Sequence, residues 1–108
     1  LAASSSIPVR QVIIPERWQG ATLVGITGAL FTVSSSGAVA VRVYNATIAQ
    51  NLLTANLSIA AGNRRTHSTS VNASYKTLTK GDLIQIFVES AGTGAKGLQV
   101  DLIALAKA

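Results

Sequence analysis

The chain has 108 residues, no cysteine, nine Lys and Arg against four Asp and Glu, and a formal net charge of +5. That length suits one domain with room for a packed core, and the missing cysteines exclude a disulfide framework and a thiolate metal site. The basic balance raises nucleic acid, anionic lipid or an acidic protein surface as partners, but apart from Arg64-Arg65 the charges are scattered singly, so neither nucleic acid nor a membrane is expected as a partner. Gly, Ser and Thr interrupt every run before it reaches the roughly 18 apolar residues of a membrane helix. The chain opens on Leu1 and holds no methionine, so processing or truncation ahead of Leu1 is expected.

In chain order, residues 1–6 read as a small, polar, flexible N-terminal arm or a segment ordered only against a neighbour, and residues 7–108 as a single β-sandwich domain. Ile7 to Pro15 is extended and bracketed by prolines, which points to an edge strand or to one with abrupt ends. Glu16 to Gly20 turns the chain, with the single tryptophan, Trp18, expected to cap one end of the core. Ala21 to Val33 is the longest β-like stretch and contains Gly25 and Gly28, which mark a bulge, a bend or a close backbone approach. Leu23, Phe31 and Val33 fall on one face there and Val24, Ile26 and Leu30 on the other. Burial on both faces is one way to reconcile them.

Ser34 to Gly37 is a turn leading to a strand with Val39, Val41 and Val43 inward and Arg42 and Tyr44 outward. Residues 45–51 form a connection, and Leu53, Ala55, Leu57 and Ile59 alternate with Thr54, Asn56 and Ser58 as a further strand. Arg64 to Tyr75, rich in Ser, Thr and Asn, reads as a weaker strand with a loop. The last quarter alternates twice, through Ile84, Ile86 and Val88 and through Leu98, Val100 and Leu102. It is expected to be a two-stranded hairpin whose tip carries Gly92, Gly94 and Gly97. Phe87 and Ile103 sit on the opposite faces of these two strands and suggest a second apolar interface. The sum is an all-β antiparallel sandwich or jelly-roll of about seven or eight short strands.

The chemistry-bearing residues are few. Gly92 to Gly97 matches G-x-G-x-x-G, but the following residues alternate as a strand where a nucleotide fold requires a helix, and Lys96 is followed by glycine where a phosphate loop requires Ser or Thr. His67 is the sole histidine, so a histidine-rich metal site is excluded. Asp82 and Glu89 bound one strand too far apart for a carboxylate pair, and Asp82 reads as a turn residue. No serine lies in a nucleophile elbow. No enzyme activity, cofactor or metal is expected. Three N-x-[ST] triplets, at Asn45, Asn56 and Asn72, are read as chance in so Asn- and Ser-rich a chain, with Asn56 inside a strand.

The runs Gly20 to Ile26, Leu52 to Gly62, Gly81 to Ile86 and Gly92 to Val100 together resemble a small β-domain of tailed-bacteriophage structural proteins. The most specific part is Gly81-Asp82-Leu83-Ile84-Gln85-Ile86 followed by Gly92-Thr93-Gly94-Ala95-Lys96-Gly97-Leu98. The resemblance covers about residues 7–105 and implies a β-sandwich that works by assembly and has no catalytic residues. It departs from the family pattern at Arg64 to Tyr75, where Arg64-Arg65 and His67 interrupt the usual register. The leading expectation is a virion protein on the capsid surface, a head decoration or cement protein that acts as a homo-oligomer, expected to be a trimer. Its contacts to the major capsid protein or other virion proteins would run through Arg10, Arg17, Arg64 and Arg65 and through the apolar Phe87 and Ile103. The alternative is a tail-fibre or receptor-binding domain that holds a host glycan with Trp18, Tyr44, Tyr75, Asn45, Asn51 and Asn63.

Overall fold

The structure, a computed structural model, describes residues 3, 4 and 6–105. They form eight strands: β1 (Arg10–Ile13), β2 (Thr22–Thr32), β3 (Val39–Asn45), β4 (Gln50–Asn51), β5 (Leu57–Ile59), β6 (Arg65–Ser68), β7 (Leu83–Ala91) and β8 (Lys96–Leu105). One 3-10 turn at Glu16–Trp18 joins β1 to β2. The larger sheet has the order β1-β7-β3-β4, with β5 also on β3, and the smaller has the order β6-β2-β8. All pairings are antiparallel. The two sheets sandwich a core of aliphatic side chains, among them Leu23, Ile26, Leu30, Val39, Val41, Val43, Leu57, Ile59, Ile84, Ile86 and Val88.

The alternation in β3 and β7 is borne out: Val39, Val41 and Val43, and Ile84, Ile86 and Val88, are all buried to within 1%. The final hairpin is not. β7 pairs with β1 and β3, while β8 pairs with β2 from Thr22↔Leu105 to Thr32↔Lys96, in the other sheet. Residues 92–95 are therefore an arch that carries the chain across the core. The alternation of each strand fixes which face is buried and is silent about which strand lies alongside.

What selects the arch is its neighbour. The β2–β3 connection also crosses between sheets, and β2 pairs with β8 as β3 pairs with β7, so the two arches stack. Ser34, fully buried, joins them. Its hydroxyl accepts from the Thr93 amide at 3.0 Å and donates to the Gly37 carbonyl at 2.7 Å. Its own carbonyl accepts from the amide of Gly62 at 2.8 Å, in the third crossing, between β5 and β6. One serine thus satisfies the polar groups of three loops that cap the same end of the core.

β2 resolves its two-faced pattern by a bulge, in place of burial on both faces. The β2–β8 register slips between Leu23 and Gly25, so Leu23, Ile26 and Leu30 all point inward and are 0–2% exposed. An extra residue in one strand shifts the parity of everything beyond it. Phe31, expected to share a face with Leu23, is left 79% exposed. At Gly28 the sheets approach so closely that a Cβ would lie 2.6 Å from Leu57 Cδ2.

β1 is an edge strand, as its flanking prolines predict. Of the expected N-terminal arm, Leu1, Ala2 and Ser5 lie outside the described residues, and the Ser4 amide donates to the Val88 carbonyl at 2.8 Å. Residues 50–51 add the short β4 within the expected connection. Leu53 and Leu57 are both buried, yet the strand proper begins at Leu57. Asn56 accordingly precedes β5 and is not inside it. Arg64 to Tyr75 is a four-residue strand followed by a loop, as its composition predicts.

Candidate interaction surface

The two sheets do not close against each other along one side. β1 ends the larger sheet and β8 ends the smaller, and between them runs a groove of about 420 Å³ lined by Val12, Ile13, Trp18, Val100 and Leu102, with Arg17 and Asp101 at its margins. Ile14 and Ile86, core residues only 1–2% exposed, also line it. Trp18 and Arg17 also border a smaller hollow of about 190 Å³ against Ala21 and Ala104. Trp18 packs against the core from this side, in the capping role expected of it.

Large apolar side chains stand exposed along both margins. On and before β1 these are Ile7 (70%), Val9, Val12 and Ile13 (66%), and on β8 they are Ile103 (41%) and Leu105 (64%). Single exposed aliphatics are ordinary, but several along two adjoining strand edges form a patch of the kind that marks an interaction surface. Ile103 was singled out from sequence. The β1 run was not, although a nearly unbroken apolar stretch between two prolines was the available signal.

The expected contact arginines do not converge. Arg10 and Arg17 lie on the β1 side and are exposed, while Arg64 and Arg65 are exposed at β6, the opposite edge of the smaller sheet. Phe87 requires a correction. It does project from the outer face of β7, but it is 5% exposed. The Arg42 guanidinium lies 4.1 Å from its ring centroid, and the Tyr44 ring meets it edge-on at 6.1 Å. Arg42 is held there by Glu89 at 2.6 Å. Phe87 is covered by its own chain and offers no apolar patch. Arg42→Ala, which removes this cover and the ion pair, is expected to cost about 1–2 kcal/mol in urea unfolding.

The residues assigned to a glycan are dispersed too. Asn45 is 1% exposed, donating to Asp82 Oδ2 at 3.1 Å and accepting from the Thr47 and Ile48 amides. It is a buried bracket between two turns and is not available to a sugar. Asp82, also buried, accepts as well from the Thr79 amide at 3.3 Å and so caps its turn as expected. Tyr44 is engaged with Arg42 and Phe87, and Asn51 is exposed on β4 near Arg42. Asn63 lies in the arch at the Ser34 end, whereas Trp18 sits at the other, and Tyr75 packs half-buried against the core. His67 bonds Thr27 Oγ1 at 3.0 Å on the outer face of the smaller sheet. Among the described residues no three His, Asp or Glu side chains gather as metal ligands would.

The fold and this surface define an antiparallel β-sandwich with an apolar open side. No protein-family model, curated protein or solved structure matches the chain.

Proposed function

We propose that the protein is a non-catalytic assembly module, a virion structural protein that decorates and stabilises a phage head by binding to its surface and to copies of itself. The observation that carries this reading is the open side, two strand edges left unpaired among the described residues and flanking an apolar groove. Such surfaces gain free energy by being covered with protein, through apolar burial and backbone pairing. The dispersal of the six glycan candidates, one of them buried, weighs against the receptor-binding alternative. The family resemblance supplies the setting, a capsid.

The test is co-sedimentation of the purified protein with expanded, undecorated phage heads. Binding at fixed stoichiometry, with a rise in the temperature at which the heads break open, is the expected result. No binding to heads, together with adherence to host cells, would overturn the head assignment and move the protein to the tail.

A further inference from the structure

We infer that the open side is a self-association surface: a second copy of this chain docks on it about a two-fold axis, so that β1 of each copy lies against β8 of the other. The inference rests on the assembly reading above and adds to it the surface, the pairing and a two-fold symmetry in place of the expected trimer.

A two-fold interface must be self-complementary, residue i meeting j while j meets i. This side satisfies that requirement because it carries two different edges. β1 pairs only with β7, and β8 only with β2, among the described residues, so each has one edge left over beside the same groove. Their charges are opposite. Arg10 and Arg17 belong to the β1 margin and Asp101 to β8. Among the described residues neither Arg17 nor Asp101 has an ion pair, and Asp101 accepts a hydrogen bond from Gln99 of its own strand at 3.2 Å.

A two-fold that set β8 beside β8 would bring Asp101 towards its own copy, and one that set β1 beside β1 would do the same for Arg10. Crossed pairing alone brings unlike charges together. It also brings the exposed Val12 and Ile13 to the exposed Ile103 and Leu105, and it closes the groove over Ile14 and Ile86. Each larger sheet then continues through β1 into the partner's smaller sheet, and no edge remains open on that side. The size is adequate. The ten residues of β8 span about 33 Å, and on the other margin the amides of Ser4, Val9 and Ile14 extend the β1 pairing along β7 and its flank, so both edges run along the 42 Å axis of a body whose other extents are 25 and 21 Å. A side of that length can supply the roughly 800 Å² that each partner gives to a stable interface.

The experiment is mass measurement in solution at about 100 µM, within the range where interfaces of this size hold together. The wild-type protein is expected at twice the 11.1 kDa of the chain. Arg17→Asp alone and Asp101→Arg alone each set like charges together across the axis and should weaken dimerisation by about tenfold or more. Mixed in equal amounts, the two variants should recover a heterodimer, because each then offers its reversed charge to the opposite charge of the other. Ile13→Lys should be monomeric, and thermal unfolding of each variant checks that it is folded.

A monomeric wild type, a trimer, or a mixture of the charge variants that fails to recover would overturn the inference. Heads that ignore an intact dimer would count against the proposed function and leave this surface standing. A monomer that still coats heads would do the reverse.

Discussion

Ile26→Ala is expected to destabilise the protein by about 2–5 kcal/mol, the cost of emptying a buried aliphatic site that cannot fully collapse. Ile26 is fully buried between the sheets, on the inner side of β2 just after the bulge. The informative comparison is Phe31→Ala, which removes a larger side chain that is 79% exposed and should change stability by less than about 0.5 kcal/mol. If β2 ran without a slip in register and kept Leu23 inward, Phe31 would point inward and Ile26 outward, and the order of the two costs would reverse. Urea unfolding of the two variants at equal slope decides it.

The second large effect is at the junction of the arches. Gly92 has φ +61°, and a Cβ there would run into the Ser34 hydroxyl and lie 2.9 Å from the Gly37 carbonyl oxygen. Gly92→Ala therefore adds both left-handed strain and a collision with fixed backbone, together about 2–4 kcal/mol. Gly94 has a similar φ of +75° with nothing within 4 Å of its Cβ position, so Gly94→Ala should cost about 1–2 kcal/mol from strain alone. The difference between the two measures how tightly the arches are pressed together at Ser34. Equal losses would mean that the arches do not support each other.

These sites also mark where the sequence was legible. Inward rows such as Val39-Val41-Val43 and Ile84-Ile86-Val88 are readable because a period of two is imposed by the strand itself. The three glycines of the 92–97 segment are readable as a reversal, and all three have positive φ. Their partners are not readable: whether β8 lies beside β7 or beside β2 depends on how the Ser34 turn and the Thr93 turn fit together, 59 residues apart along the chain. Phe87 differs from expectation for a related reason. Its face was legible, but its cover is Arg42 on a different strand, positioned by Glu89. Asn45 looked like a loop amide open to ligands, and only the approach of Asp82 buries it. The apolar Ile7 to Ile14 run was visible in the letters. Its placement at an open edge, opposite Asp101, came from the packing of the two sheets.

The pairing of β2 with β8 has a consequence for how the chain acquires its structure. The smaller sheet has β2 at its centre, and β2 finds one neighbour in β6 and its longest in β8, with Thr22 opposite Leu105. As the polypeptide leaves the ribosome, β2 emerges well before β8 and must wait through the intervening strands before its main partner exists. Ordering so long a loop before any contact repays it raises the folding barrier, which places β-sandwiches of this kind among the slow folders, on the millisecond-to-second scale. During that wait the apolar inner face of β2 stands uncovered. The nascent protein is therefore most prone to misassociation, and most in need of a chaperone, just before β8 is released.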